Sequence, residues 1–229
     1  MTATKQTRKP ALRARKEEDI RQAIERFREK ALELGASAAA VIPASEVMVE
    51  ERVRMKCLVP RCSSLGDGGT PYCPPHSPEP EFMRKVFSQY RWAVVFKRDI
   101  TMKDYNVSTS EAERQEMRSK GLPDVDIRGK GYEIVGRLES YAQSEGYSLA
   151  LGFAGGSCKG ALCLGKPCAV FQTGTCRFPL RARPSMEGVG IDVFGLVQKV
   201  GWDIYMIRSI EPEPGEIPGG MAVGIVFVC

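Results

Sequence analysis

The 229-residue sequence contains one histidine, His76. A zinc hydrolase of the HExxH type needs two imidazoles on one helix, and a hydrolase of the triad type needs one beside its nucleophile, so both classes are set aside. Phosphate-cradling loops are also missing: there is no Walker sequence, and Gly152-Phe153-Ala154-Gly155-Gly156 lacks the spacing of a dinucleotide fingerprint. No uncharged apolar run approaches the ~20 residues of a membrane span. The longest candidate, Ile217 to Cys229, is interrupted by Pro218, Gly219 and Gly220.

Acids are absent from residues 1–16. That stretch holds Lys5, Arg8, Lys9, Arg13, Arg15 and Lys16, a charge of +6, so the formal +5 of the chain leaves −1 on residues 17–229. The basic balance therefore belongs to the tail. A nucleic-acid contact is expected only through the tail, if at all. Glu17, Glu18 and Asp19 follow it where a secretory signal would carry an apolar segment. The expectation is a cytoplasmic protein with a flexible basic tail, residues 1–16, and one domain over residues 17–229.

With 43% hydrophobic residues the body can bury a core. Ile20, Ile24, Phe27, Ala31 and Leu34 recur at helical spacing up to Gly35. Strands are expected over Ala38 to Ile42 and along the alternating Val47, Val49, Glu51, Val53 and Met55. A helix near Glu79 to Tyr90, a strand from Trp92 to Phe96 and helices between residues 101 and 145 follow, with a capping box at Ser110 and Glu113 and a break at Gly121-Leu122-Pro123. Further strands are expected over Tyr147 to Phe153, near Trp202 to Ile210 and over Met221 to Val228, with a helix capped by Asp192 and stopped at Gly201. This order predicts an α/β fold, or a mixed α+β one, with helices packed against a single mixed sheet and two chemistry-bearing loops.

Seven of the eight cysteines fall in those loops, residues 57–76 and 158–179, as Cys57-x4-Cys62-x10-Cys73 and Cys158-x4-Cys163-x4-Cys168-x7-Cys176. A reducing compartment and an adequate core argue against a disulfide framework. Buried structural cysteines would scatter along element faces, a reading that fits only Cys229 at the end of an apolar strand. Thiol clusters on loops point to a soft metal. Zinc sites pair their ligands two to four residues apart, whereas four cysteines along 19 residues suit wrapping a larger [4Fe–4S] cluster. Proline after Cys73 is also a ferredoxin habit.

The expectation is thus one or two [4Fe–4S] clusters, with zinc as the alternative. The first group needs a fourth ligand from His76, Asp67 or Cys229, or leaves an iron open to a substrate. Lys56, Arg61, Lys159, Arg177 and Arg183 flank the loops as contacts for an anion or partner, and the partner class is a redox protein or a small-molecule substrate. Glu187 and Asp192 lie just beyond the last cysteine of the second loop, where a carboxylate could exchange protons with a substrate, although Asp192 reads better as a cap. Three functions follow: an iron–sulfur protein with one electron-transfer cluster and one open cluster, a pure electron carrier, or a zinc-stabilised binding module with a nucleic-acid-contacting tail. Two loaded clusters would take the body from −1 to about −4.

Lys56-Cys57 through Tyr72-Cys73-Pro74-Pro75, Phe153-Ala154-Gly155-Gly156-Ser157-Cys158 through Cys176-Arg177-Phe178-Pro179, and Arg183-Pro184-Ser185-Met186-Glu187 with Gly190-Ile191-Asp192-Val193 jointly resemble a known family. It is the bacterial and archaeal family of predicted cysteine-rich metal-binding proteins that carries a domain-of-unknown-function label. The resemblance runs from about Val53 to Val228. It implies a metal-binding protein of the iron–sulfur kind and no known reaction. The Cys158-x4-Cys163 gap is wider than the family's two-residue gap, and the basic tail lies outside the resemblance.

Overall fold

A computed structural model describes residues 17–62, 64–101, 127–164, 166–205 and 219–229. The basic tail, the Ser110 and Glu113 capping box and the Gly121-Leu122-Pro123 break lie outside the described residues. The first apolar stripe forms α1 (Glu17–Glu33), whose Ala23, Ile24, Phe27 and Ala31 are buried while its charged face stays in water. Strand β1 (Ala38–Pro43) follows, then α2 (Glu51–Met55), α3 (Pro80–Phe87), β2 (Trp92–Thr101) and α4 (Ile127–Ser144). The remainder comprises β3 (Leu151–Ala154), α5 (Cys158–Cys163), α6 (Ala169–Thr173), α7 (Val193–Lys199) and β4 (Gly219–Phe227).

The strands form one sheet in the order β1-β2-β4-β3, antiparallel at every described pairing. Strand alternation sends Val94, Phe96 and Val226 to one face, against α1 and α4, and Ala93, Val95, Ile225 and Phe227 to the other. That second face is covered by Met83 and Phe87 of α3 and by Val193, Leu196 and Val197 of α7. Both faces are buried, which explains why β2 reads as a nearly continuous apolar run. The fold is therefore mixed α/β with helices against one sheet, as expected, but the described sheet is antiparallel rather than mixed, because β4 lies between β2 and β3 and runs against both.

Local differences have physical causes. The alternation after Val47 does not continue as a strand. Val49 makes an isolated antiparallel bridge to Ile191, and the chain then turns into α2. Val47 and Val49 find apolar cover, but Met55 is left 49% exposed, so the outer half of the run has no core to face. α2 is held by ion pairs instead: Arg54 to Glu79 at 2.8 Å, and Glu51 to Arg84 of α3 at 2.5 Å. Tyr147 to Ala150 form turns, and pairing with β4 begins at Leu151 opposite Phe227. Trp202 to Tyr205 are not strand, and residues 206–210 lie outside the described residues. Asp192 caps α7 as expected, its carboxylate accepting from Gly195 N–H at 3.1 Å.

Two glycines of α4 bring the second cysteine loop onto the helix. A Cβ at Gly129 would lie 2.9 Å from the Ala161 carbonyl of α5, and one at Gly136 would collide with the Leu180 carbonyl. Only the absence of side chains there lets the backbone around Cys158 to Cys176 pack this closely.

Candidate metal centre

The edge strand β3 delivers the second loop. Ala154 ends it and bridges Ser185 in parallel, and Ser157 caps α5, its hydroxyl accepting from Lys159 N–H at 3.3 Å. Ser185 N–H in turn donates to the Tyr72 carbonyl at 3.2 Å. Three stretches far apart in sequence, around residues 70–74, 154–159 and 184–188, are thus stitched together at one end of the sheet.

They enclose two cavities. The smaller, about 20 Å³, is lined by Cys158, Cys163, Cys168 and Cys176 together with Thr70, Tyr72 and the apolar Leu162, Val170 and Phe178. The larger, about 220 Å³, is lined by Cys57, Cys62 and Cys73 with Lys56, Ser157, Ser185 and Glu187. Consecutive residues face opposite sides. Thr70 and Tyr72 line the first cavity and Cys73 the second, while Ser157 lines the second and Cys158 the first. The two share a wall.

That wall is polar and tightly made. The Thr70 side chain is buried, accepts from Tyr72 N–H at 3.0 Å, and lies close enough to Cys73 and Cys158 to favour their ionised forms. The Cys73 thiol donates to Ser157 Oγ at 3.6 Å. Burial pushes the Cys158 thiol up to about 12, Thr70 opposing and the neighbouring cysteines adding to it. Cys57 is pushed up to about 11 by burial, then by Cys62 and Glu187. Cys73 rises for the same leading reason. Without a cation these thiols remain protonated at neutral pH, and binding a cation would release their protons.

Other groups tune the sulfurs. Ser64 N–H donates to Cys62 Sγ at 3.4 Å and Phe178 N–H to Cys176 Sγ at 3.3 Å. The amides of two glycines in the second loop are used elsewhere: Gly155 N–H bonds the Val223 carbonyl at 2.9 Å, and Gly156 N–H bonds Glu187 Oε2 at 3.0 Å.

All eight cysteines are free thiols, and seven of them line the two cavities. Of the expected fourth ligands, neither His76 nor Cys229 is among the residues lining the three-thiol cavity. His76 packs against Phe171, ring centroids 4.9 Å apart. Cys229 sits beyond β4, its carbonyl accepting from Arg91 N–H and from Trp92 N–H, the latter at 2.9 Å. Asp67 lies in the turn Gly66–Gly68, and its side chain is outside the described residues.

Among the flanking cations, Lys56 lines the three-thiol cavity, and Lys159 and Arg177 line the four-thiol one. Lys159 Nζ also donates to the Gly68 carbonyl, and Arg61 is exposed near Gly66. Arg183 is corrected from an anion contact to a structural group. Its guanidinium makes paired bonds to Glu139, at 2.7 and 3.0 Å, with both side chains 13% exposed or less. Glu139 also accepts from Gly152 N–H of β3 at 2.6 Å.

Thr70 and Ser157 line the cavities beside the cysteines without having been singled out from the sequence. Their one signal was position, within three residues of a cysteine in a loop otherwise rich in glycine and proline.

A thiol set of this kind fits a soft metal or a metal–sulfur cluster. No three His, Cys, Asp or Glu side chains among the described residues already converge on a single-ion site. The family comparison agrees with the donor chemistry: residues 40–221 match the model of the predicted metal-binding proteins (DUF2284). The chain belongs to this family. The match spans both cysteine groups and the Ser185 to Glu187 segment between the two cavities, so the wall that joins them lies wholly within the family's unit. No curated protein and no solved structure matches the chain.

Proposed function

We propose that the protein is a two-centre iron–sulfur redox protein. Cys158, Cys163, Cys168 and Cys176 hold a [4Fe–4S] cluster for electron transfer, and Cys57, Cys62 and Cys73 hold a second cluster beside a cavity roomy enough for a small substrate. The observation that carries this reading is the shared wall, where the Cys73 thiol of one group bonds Ser157, the neighbour in sequence of Cys158 of the other. When bound, such clusters supply one-electron transfer at a potential set by hydrogen bonds and burial.

The chain's own residues have definable tasks. Leu162, Val170 and Phe178 keep water from the four-thiol cavity, and the Ser64 and Phe178 amides donate to sulfur. Lys56 adds a cation to the wall of the larger cavity, where it offsets thiolate charge or meets an anionic substrate. The zinc alternative is less well supported. Cys158 and Cys163 occupy the two ends of α5 rather than a tight two-residue knuckle. Free thiols throughout fit a reducing, cytoplasmic setting with a redox partner protein.

The test is metal and sulfide analysis of anaerobically purified protein with a visible spectrum. Iron and sulfide with broad absorption near ~400 nm are expected. Bound zinc without that absorption would overturn the proposal.

A further inference from the structure

Resting on the iron–sulfur reading above, we propose that the carboxylate of Glu187 is the fourth ligand of the three-thiol cavity, making a Cys57, Cys62, Cys73 and Glu187 site. Glu187 opens the helical turn Glu187–Val189 and lines this cavity with the three cysteines. Its orientation is set from behind. Gly156 N–H and Ser185 Oγ donate to Oε2 at 3.0 and 2.9 Å, and the buried Ser185 hydroxyl itself accepts from Gly188 N–H at 3.0 Å. Both bonds fall on Oε2, which leaves Oε1 as the oxygen for a cation. Ligating carboxylates are ordinarily oriented by such outer hydrogen bonds.

The other polar groups on the wall are poorer ligands. The Lys56 ammonium has no lone pair to give. The Ser157 hydroxyl is committed to Lys159 N–H and to the Cys73 thiol, and the Ser185 hydroxyl to Gly188 and to Glu187 itself. His76 and Cys229 are not among the residues lining the cavity.

An oxygen ligand at one iron of an otherwise thiolate-held cluster is also the position that a small anionic or oxygen-donor substrate would displace.

A purely structural Glu187 would need only its acceptor oxygen, which Gln retains. The full chain, Glu187→Gln and Glu187→Cys are therefore reconstituted anaerobically with iron and sulfide and mildly oxidised, and iron per chain and the EPR spectrum are recorded. Circular dichroism checks the fold. Glu187→Gln is expected to lose about one more iron per chain than the parent and to gain a three-iron signal, while Glu187→Cys retains more iron than the parent.

An iron count and spectrum for Glu187→Gln identical to the parent's would overturn the ligand assignment alone. Should Glu187→Gln not fold, a Glu187→Cys protein indistinguishable from the parent would do the same. A parent that takes up zinc and no iron would overturn the iron–sulfur reading itself, and this assignment with it.

Discussion

The four-thiol cavity is built almost entirely from one stretch of chain, Cys158 to Ala182, with Thr70 to Tyr72 closing one side. Its volume of about 20 Å³ is ringed by Leu162, Val170 and Phe178 together with Lys159 and Arg177, and no carboxylate lines it. The three-thiol cavity is assembled from segments around residues 56–65, 73–74, 156–157 and 185–187, has about 220 Å³, and carries an ammonium and a carboxylate on its wall. A site encoded by one segment closes around its donors, because each gap between cysteines is short and α5 with α6 folds the intervening residues away. A site assembled from distant segments inherits whatever side chains those segments bring. Room and mixed charge are what a reacting centre needs, and enclosure is what an electron relay needs.

The comparison breaks most visibly at the shared wall. Cys158→Ser removes a ligand from one cavity and disturbs the adjoining Ser157, which bonds Cys73 of the other, so we expect iron loss from both centres, close to all of about eight irons per chain. Retention of half the iron with an unchanged spectrum would make the two cavities independent. Arg183→Ala tests the division between site and scaffold. It leaves Glu139 buried without its partner beside β3, a cost of about 3 kcal/mol that lowers the thermal midpoint. Iron per folded molecule should stay constant, and a selective loss of iron would return Arg183 to the site.

A smaller effect is expected from Thr70→Val, which removes the hydroxyl that lies near Cys73 and Cys158 and favours their ionised forms. Both reduction potentials should fall by tens of millivolts, by redox titration, since hydrogen bonds to sulfur favour the reduced cluster. A shift in one potential only would mean that Thr70 serves one centre. The smallest effect belongs to His76→Ala and Cys229→Ser, which should leave the iron count unchanged. Loss of iron in either would make that residue the fourth ligand in place of Glu187.

Much of this molecule is readable residue by residue. The stripe of α1, the apolar run of β2 and the Asp192 cap are local patterns, and each forms as its spacing predicts. The run after Val47 is the instructive exception. Its alternation satisfies a strand locally, but the sheet already has β1 as its edge, so Val49 pairs with Ile191 and the remainder becomes α2. Arg183 looked like a surface cation because its partner Glu139 is 44 residues away.

The sequence by itself determined the donor chemistry: seven thiols in two groups, beside a lone histidine unsuited to other catalysis. It determined this because ligand type and gap length are properties of a short stretch of chain. The tertiary structure decided that the two groups adjoin, that Cys73 bonds Ser157 beside Cys158, and that Glu187 rather than His76 or Cys229 lines the three-thiol cavity. Those relations depend on where β3 ends and on what the Ala154 to Ser185 bridge draws together. Long-range pairing of that kind is set by the packing of the whole sheet, which no local spacing records.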